Sequence, residues 1–544
     1  MTATTEDKTK DDLTSKGAAP GGGAWSPFRS LPFAMLWTAT VVSNVGTWMH
    51  DVGAGWLMTT LSPSPVMVSL VQAATTLPVF LFALVAGAVA DIVDRRLLLL
   101  IVNLLMGVLA CLFAILVASG QASVELLLIF TFLLGTGAAF AAPAWQAIVP
   151  SLVPKKDLAA AVALNSMGIN ISRAIGPALA GVLITAVGLA SPFALNALSF
   201  VGILAALFFW KPEKKAEKRL PPEPVFSAIQ TGLRYALHSP ALKATLVRAI
   251  AFFVFASAYW AMLPLIARDL LEGGPGLYGM LLGCVGAGAV LGALLLPKVR
   301  KQLGSNNTVA AGTIGTALAL AVFALVPSAL AAYAVSLLAG FAWIAVLSSL
   351  NVSAQASLPE WVRARGLSIY LTVFFGSMSL GSVVWGQVAS FAGIPAALLA
   401  AALLLIAVLA VVRNVPLTSV GSLDLTPSAH WPAPVVSGEL EPDRGPVMIL
   451  IEYHVDPADK EAFLSALRRF SAERRRDGAV DWNVFQDAEN DALWTESFVV
   501  ASWLDHLRQH DRVTKTDADL QEDIRKFHQG AEAPRIRHLI APSP

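Results

Sequence analysis

The chain has 544 residues, of which 56% are apolar and 14% are charged. Soluble domains carry roughly 25% charged residues, so much of the surface of this protein must face lipid. The net charge of +1 and the lack of a basic stripe with interleaved aromatic residues argue against nucleic-acid binding.

The N-terminus shows no targeting signal. The first 24 residues are polar and lack the apolar core and cleavage site of a signal peptide, so we predict a disordered cytoplasmic tail over residues 1–30. The two cysteines, Cys111 and Cys284, lie in long apolar segments, where a thiol behaves as a small hydrophobic group. We expect no disulfide, no metal site and no cofactor.

Long apolar segments dominate the next 380 residues or so of the chain. A spanning helix needs about 20 mainly apolar residues, because hydrocarbon offers the backbone no other hydrogen-bond partner. Twelve segments meet or approach this criterion, which predicts an all-α polytopic membrane protein. They cover residues 33–57, 66–90, 97–118, 124–149, 158–187, 192–210, 242–267, 278–296, 309–326, 329–352, 367–391 and 396–412.

The basic residues of the loops predict the orientation, since positively charged loops stay in the cytoplasm. We number the loops in chain order between the predicted spans. Arg268 is the one basic residue in the odd-numbered loops, whereas every even-numbered loop contains basic residues. Both termini are therefore expected in the cytoplasm, with the chain crossing a bacterial-type inner membrane many times. The basic loop residues are Arg95, Arg96, Lys155, Lys156, the run 211–219, Lys298, Arg300, Lys301, Arg363 and Arg365.

A charged, proline-rich stretch over residues 211–240 predicts a cytoplasmic linker between two six-helix bundles, residues 31–210 and 241–413. The two halves contain similar segments, Gln146-Ala-Ile-Val-Pro150 and Gln355-Ala-Ser-Leu-Pro359, which indicates an internal repeat. Many secondary transporters build a midplane cavity from repeated halves. The chain contains no Gly-x-x-x-x-Gly-Lys-Ser/Thr loop, so we expect an ion gradient to supply the energy.

The loop after the second predicted span reads Gly87-Ala-Val-Ala-Asp91-Ile-Val-Asp94-Arg95-Arg96. It resembles the signature loop of the major facilitator superfamily. Two residues of that signature are missing here: the basic residue that usually follows the first aspartate, and the glycine that comes after it. The resemblance carries over to Gly87, Asp91, Arg95 and Arg96, and together with Asp94 these residues are expected to form a cytoplasmic gating loop. A simpler interpretation is that these charges only orient the helices.

The fifth predicted span reads Ser172-Arg173-Ala-Ile-Gly176-Pro177-Ala-Leu-Ala-Gly181. It resembles the Gly-Pro signature of exporters in that superfamily, with Ser172 in place of the first glycine. Small residues permit close helix approach, and proline allows a bend. The resemblance implies a role in export for Gly176, Pro177 and Gly181, whereas tight helix packing would explain the same residues.

A further resemblance covers nearly the whole chain. The runs Asn44-Val-Gly-Thr-Trp48-Met-His-Asp51, Pro143-Ala-Trp-Gln146 and Trp361-Val-Arg-Ala-Arg365 are similar to the enterobactin-exporter-like, or transmembrane secretion effector, branch. That branch is associated with export of siderophores, macrolides and other small molecules. The resemblance does not choose among them.

Ionisable residues inside spans are costly and are functional candidates by default. Asp51 and Arg173 lie roughly 27 and 22 Å along their helices from the cytoplasmic side, so we predict that they face each other across the outward half of the cavity. Asp51 would then bind the proton exchanged for cargo. A hydrated vestibule or a structural ion pair would also account for Asp51, and Arg248 lies close enough to the interface to snorkel.

Polar and amphipathic side chains inside the spans are candidates for the substrate cavity. Trp48, Gln72, Asn165 and Asn170 are such candidates. Hydrogen bonding between helices is the commoner role for the amides, and interfacial anchoring is the commoner role for tryptophan.

The composition changes after Arg413. We predict a proline-rich linker over residues 414–445 and a cytoplasmic soluble domain over residues 446–544. Strands over 447–454, 480–486, 496–502 and 535–540, with helices over 456–476 and 504–527, predict a β-α-β-β-α-β ferredoxin-like unit. This order resembles the antibiotic biosynthesis monooxygenase superfamily, whose small domains pair their sheets, and implies a homodimer formed through the tail.

The tail also contains histidines and aromatic residues that could serve chemistry. His506 and His510 are four residues apart and can share a helical face, while Trp482, Asn483 and Trp503 are further candidates. Solvent-facing histidines on an amphipathic helix would show the same spacing. We expect a regulatory, dimerising or cargo-sensing domain rather than a catalytic one.

Taken together, these patterns predict a proton-coupled exporter of a small organic molecule that works by alternating access, and not an enzyme. The alternatives are a membrane-tethered oxidoreductase that uses the C-terminal domain, and an importer or sensor. The expected partners are the lipid bilayer, the small organic substrate and protons.

Overall fold

The structure is a computed structural model that describes residues 23–211, 225–419, 421, 423–428, 431, 440–441 and 443–542, without the side chains at 91, 155, 159 and 225–228. The chain is mostly helical. Ten of the described helices are long and apolar enough to cross a membrane, and a small sheet follows near the C-terminus. The predicted disordered tail lies mostly outside the described residues.

The first six helices correspond to the first six predicted spans. Polar caps set two of their starts: Asp94 accepts a hydrogen bond from the Leu97 N–H at 2.8 Å, and Ser123 accepts one from the Leu126 N–H at 3.3 Å. The helices are α1 (Leu31–Leu61), α2 (Pro65–Ile92), α3 (Arg95–Ala118), α4 (Val124–Ile148), α5 (Leu158–Ala186) and α6 (Ser191–Phe209).

The next six helices include one that runs through two predicted spans. The 51-residue α9 contains Gly304 with φ 74° and ψ 166°, outside the helical region. A straight helix of that length would extend about 76 Å, far beyond a hydrocarbon core of about 30 Å, so the break separates two segments. The helices are α7 (Val225–His238), α8 (Pro240–Leu265), α9 (Pro275–Leu325), α10 (Ala329–Ala356), α11 (Arg363–Ala392) and α12 (Ile394–Val412).

We call the helices before residue 212 the first half and the helices after residue 224 the second half. Glycines allow helices of the two halves to pack closely together. A Cβ on Gly386 of α11 would lie 2.6 Å from the side chain of Ser69 on α2, and one on Gly376 would lie 2.6 Å from the Phe80 ring. On the other side, a Cβ on Gly279 of α9 would lie 2.6 Å from the Pro177 carbonyl oxygen of α5. The α2–α11 and α5–α9 pairs therefore join the two halves.

The apolar core is shared between the halves at one end only. We call the end that holds residues 62–64 the α1–α2 end and the end that holds residues 93–94 the α2–α3 end. At the α1–α2 end, Met58 and Ile184 belong to the same buried cluster as Tyr259 and Tyr278 of the second half. At the α2–α3 end, a separate cluster, which includes Phe33, contains buried residues of the first half alone.

The C-terminal domain is a four-stranded antiparallel sheet with helices on one face. The strand order is β2-β3-β1-β4. The second predicted helix is two helices, because Thr514 forms a capping box with Asp517 that starts a new helix. The elements are β1 (Val447–His454), α13 (Lys460–Asp477), β2 (Asp481–Gln486), β3 (Leu493–Val500), α14 (Trp503–Arg512), α15 (Lys515–Arg525) and β4 (Arg535–Ile540).

This domain rests on α7 and on the loop between α10 and α11. The guanidinium carbon of Arg512 lies 4.6 Å from the centre of the Trp361 ring, and that of Arg476 lies 5.5 Å from the centre of the Tyr235 ring. The two rings meet edge to face at 5.8 Å, and the Tyr235 hydroxyl donates to the Ser357 carbonyl at 2.8 Å. Helix α7 lies in the predicted linker and forms part of the platform for the tail.

Candidate functional site

Asp51 lies on α1 at the interface between the two halves. Its side chain is half-buried and lies within electrostatic reach of Tyr278 on α9. One turn further along α1, a Cβ on Gly55 would come 2.9 Å from the Tyr278 hydroxyl. The absence of a side chain at Gly55 therefore lets the phenol enter the groove beside Asp51.

Arg173 lies on α5 and is turned toward α1 and α8. Its guanidinium carbon lies 5.5 Å from the centre of the Trp48 ring, which is a cation–π geometry. In the second half, Tyr259 of α8 lies within electrostatic reach of this guanidinium group. The Arg173 Nε and the Tyr259 hydroxyl are both buried without a hydrogen-bond partner.

The structure thus places these two charged groups of the first half near two tyrosines of the second half. Asp51 lies within electrostatic reach of Tyr278, and Arg173 lies within electrostatic reach of Tyr259, but Asp51 and Arg173 form no ion pair with each other. A carboxyl group beside a phenol can hold a proton and exchange it with a hydroxyl. The sequence analysis missed both tyrosines, because their spacing in the chain carries no sign of the partner helix.

His50, which precedes Asp51 in the sequence, is buried within the first half. His50 is 3% exposed and packs edge to face against Phe193, with ring centres 4.9 Å apart. Both of its ring nitrogens are buried without a partner. His50 therefore belongs to the aromatic core of the first half rather than to the interface.

Arg248, the third predicted ionisable residue, lies away from this interface. It is 3% exposed, and its Nη2 donates to the Arg413 carbonyl at 3.1 Å, where α12 ends. A cation at a helix C-terminus satisfies free carbonyl groups and complements the helix dipole. This contact gives Arg248 a structural role at the α2–α3 end.

The predicted gating loop ties together helix ends of the first half. Arg95 donates to the carbonyl groups of Ala90 and Ala147, both at 3.3 Å. Arg96 donates to the carbonyls of residues 207 and 208 at 2.9 and 2.7 Å. Asp94 caps α3, and the side chain of Asp91 lies outside the described part of the chain.

One member of the loop motif faces the other half. A Cβ on Gly87 would lie 4.0 Å from the Ser368 hydroxyl of α11. Gly87 thus lies on the α2–α11 contact at the α2–α3 end, while the arginines act within their own half.

The Gly-Pro segment lies between α1 and α9. A Cβ on Gly176 would lie 2.6 Å from Trp48 of α1, and one on Gly181 would lie 3.0 Å from the Pro275 carbonyl. Pro177 contributes the carbonyl that Gly279 approaches. The segment therefore allows backbone contact between the halves at the α1–α2 end.

The four predicted cavity residues are not gathered in one place. Trp48 supports Arg173, whereas Asn165 accepts a hydrogen bond from Trp145 Nε1 at 3.1 Å and joins α5 to α4. Asn170 is half-buried and donates to a carbonyl of its own helix at 2.9 Å. Gln72 lies on α2 next to a cavity but does not line it.

That cavity, which we call the seam cavity, lies between α2 and α4 of the first half and α8 and α11 of the second. Its volume is about 860 Å³. The lining includes Ala74, Phe80, Ile250, Ser377 and Ser379. Sequence reasoning missed this cavity because it searched for polar and amphipathic side chains, whereas these walls are mainly apolar.

The tail holds a cluster of three histidines. The ring of His506 lies 4.7 Å from that of His538 and 5.0 Å from that of His510, centre to centre. Burial, with smaller contributions from His538 and His510, lowers the pKa of His506 to about 3, so this ring is neutral near pH 7. No group of three His, Cys, Asp or Glu in the described part of the chain has a geometry that could hold a metal ion.

Comparison with known families decides the classification. The family described as transmembrane secretion effector matches residues 22–543. The chain belongs to this family. This membership confirms the resemblance to the enterobactin-exporter-like branch of the major facilitator superfamily; the resemblance of the tail to the monooxygenase superfamily stays a prediction.

Relatives with curated names include efflux pumps and siderophore transporters. The multidrug efflux pump Tap of Mycolicibacterium fortuitum is 24% identical over 70% of this chain and 95% of that pump. The enterobactin exporter EntS of Salmonella typhi is 24% identical over 65% of this chain and 84% of that exporter. The staphyloferrin A transporter of Staphylococcus aureus is 27% identical over 48% of this chain and 66% of that transporter.

Solved structures share the fold of the helical portion. A bacterial homologue of the human lysosomal transporter Spinster, inward-facing and unoccupied, matches with a TM-score of 0.58 and 16% identity over 72% of this chain and 97% of that one. The nucleoside transporter NupG matches with a TM-score of 0.51 and 13% identity over 71% of this chain and 98% of that one. Both likenesses concern the fold alone.

Proposed function

We propose that this member of the transmembrane secretion effector family is a secondary transporter that exports a small organic molecule, such as a drug, macrolide or siderophore, by alternating access. Family membership supports this proposal, as do relatives named as an efflux pump and a siderophore exporter. The orientation we propose has both termini in the cytoplasm of a bacterial-type inner membrane, so the α1–α2 end faces outward.

The proposal includes twelve spans in two six-helix bundles. Ten helices qualify by length and composition. The break at Gly304 supports counting α9 as two spans, and the 31-residue α1 is long enough to be another. Helix α7 and residues 212–224 then connect the bundles on the cytoplasmic side.

The contacts of Asp51 and Arg173 carry the proposed coupling to protons. Their partners Tyr278 and Tyr259 belong to the other half, so opening of the α1–α2 end would withdraw both tyrosines together. Asp51 would then meet the external water and bind a proton as cargo leaves. The return of the tyrosines would bury the neutral carboxyl group, because burial of a charged one is costly. In the state open to the cytoplasm, Asp51 would release this proton inward, and the next cargo molecule would bind. A proton would thus enter as cargo leaves.

Cells that express the chain provide the test. We expect lower accumulation of at least one compound from a panel of dyes, macrolides and siderophores, and we expect both a protonophore and Asp51→Asn to abolish the effect. Asp269→Asn is the matched control, because Asp269 lies at the same end in an exposed pair with Arg268. Normal export by Asp51→Asn at equal expression would remove Asp51 from the coupling mechanism.

We also propose that the ferredoxin-like tail pairs two chains through its open sheet face. On that face Met448 of β1 stands beside Leu539 of β4, and these side chains are 39% and 41% exposed, while Phe485 of β2 is 58% exposed. Sedimentation of the detergent-solubilised full chain should show a dimer that Met448→Glu converts to a monomer. A monomeric wild type at micromolar concentration would contradict this pairing.

A further inference from the structure

The seam cavity is bounded by both halves of the molecule. Ala74 of α2 and Ile129 of α4 come from the first half, while Ile250 of α8 and Leu380 of α11 come from the second. Ile129 and Leu380 remain 52% and 61% exposed, so the cavity is open on one side. Movement of one half against the other must therefore change its shape.

The walls of this cavity carry no ionisable side chain. The polar groups on the lining are hydroxyls of α11, and the Thr372 hydroxyl already donates to the Ser368 carbonyl at 2.9 Å. Ser377 and Ser379 are each 6% exposed. Placing an unpaired charge in such surroundings is unfavourable, whereas an apolar molecule that moves from water into them is stabilised.

A second apolar groove provides a contrast. It has a volume of about 550 Å³ and is lined by residues of α1 and α6 only, including Gly202. Both helices belong to the first half, so rocking of the halves would leave this groove unchanged. Its walls are apolar like those of the seam cavity. Because it lies within one half, however, rocking of the halves could not carry a ligand bound there across the membrane.

We propose that the cargo is an uncharged, bulky lipophilic molecule that binds in the seam cavity, with the Ser377 and Ser379 hydroxyls as its polar contacts. This inference rests on the proposed export function and deepens it. A cavity of about 860 Å³ falls in the range of sites for drug-sized ligands, roughly 300 to 1,000 Å³. An anionic cargo finds no counter-charge on these walls.

Two dyes of different charge test the cargo class. Nile red is neutral and lipophilic, and carboxyfluorescein is anionic. We expect cells expressing the chain to export Nile red and not carboxyfluorescein. Export of carboxyfluorescein without Nile red would preserve the transport function and overturn the cargo class.

A cavity-filling variant tests the site. Ala74→Phe places a phenyl ring in the seam cavity, and Gly202→Phe adds the same side chain to the contrasting groove, where a Cβ at Gly202 meets nothing within 4 Å. Purified chain in lipid nanodiscs should bind Nile red, with binding at least tenfold weaker in Ala74→Phe and within twofold of wild type in Gly202→Phe.

The binding experiment separates the two proposals. Binding that depends on Ala74 supports the cargo site even if no dye is transported, in which case export is the proposal that fails. Equal binding by wild type and both variants would mean that the dye is held elsewhere, in another site or in the bilayer lipid, and it would overturn the site.

Discussion

At the scale of single residues, the most crowded charges lie in the soluble domain, where three carboxylates surround one guanidinium. Arg476 contacts Glu473, Asp477 and Asp517. With all three carboxylates ionised, this buried group would carry two excess negative charges. Burial, opposed by Arg476 and reinforced by Asp517 and Asp477, raises the pKa of Glu473 to about 7.

This shift predicts a stability change with pH. Because the pKa of Glu473 is higher in the folded domain than in the unfolded chain, the stabilisation is fully present below about pH 4.5 and is lost as pH rises through about 7. We expect the free energy of unfolding of the tail to decrease by on the order of 2 kcal/mol over this pH range. In Glu473→Gln this decrease should be much smaller, because the amide does not titrate.

Thermal unfolding of the tail in the full chain would measure this effect, with a dye on a cysteine placed at Val480, which is 72% exposed. Glu461→Gln is the control, since Glu461 lies on the same helix and is exposed. Parallel pH curves for wild type and Glu473→Gln would contradict the assignment.

At the scale of elements, hydropathy predicted the helices of the membrane portion well, because a lipid-facing helix is apolar on most of its surface. It also anticipated the interruption of α9, since the predicted spans stop at 296 and resume at 309. Helix α7 was missed, because its amphipathic sequence lies beside a charged, proline-rich stretch. Partners across the interface, such as Tyr278 for Asp51, depend on which helices pack together and could not be read from spacing.

The α5–α9 contact yields a prediction about conformational state. A Cβ on Gly279 would lie 2.6 Å from the Pro177 carbonyl oxygen and 2.7 Å from the Gly181 Cα, both backbone atoms of α5. Gly279→Ala therefore requires the helices to separate, and we expect the α1–α2 end to open. Gly276→Ala is the control, because its Cβ would make an ordinary 3.4 Å contact with the Thr185 hydroxyl.

Spin labels at Val187 and Glu272 report on this opening, since both residues are exposed at the α1–α2 end and belong to different halves. Gly279→Ala should shift their distance distribution to longer values by several ångströms and reduce export. Identical distributions in the Gly279→Ala and Gly276→Ala variants would show that the contact does not hold this end closed.

At the scale of the whole molecule, the soluble domain and the membrane portion meet through two arginine–aromatic contacts on a shared platform. Arg476 belongs to the carboxylate cluster and faces Tyr235, so the interior of the tail is connected directly to α7. Arg512 of α14 faces Trp361 and also donates to the Asp477 carbonyl at 3.3 Å. The tail is thus held against the loop that starts α11, the helix that packs along α2.

Removing one of these contacts should loosen the tail without unfolding it. Arg512→Met keeps the length of the side chain but loses the cation–π contact, and we expect docking to weaken by about 1 kcal/mol. Arg508→Met is the control, because Arg508 lies on the same helix and pairs with Asp505 of the tail itself. Hydrogen exchange of α7 and of the loop around Trp361 in the full chain should increase severalfold in Arg512→Met alone. Equal exchange in both variants would mean that the Arg512–Trp361 contact contributes nothing to docking, which would leave Tyr235 and Arg476 as the contact that holds the tail.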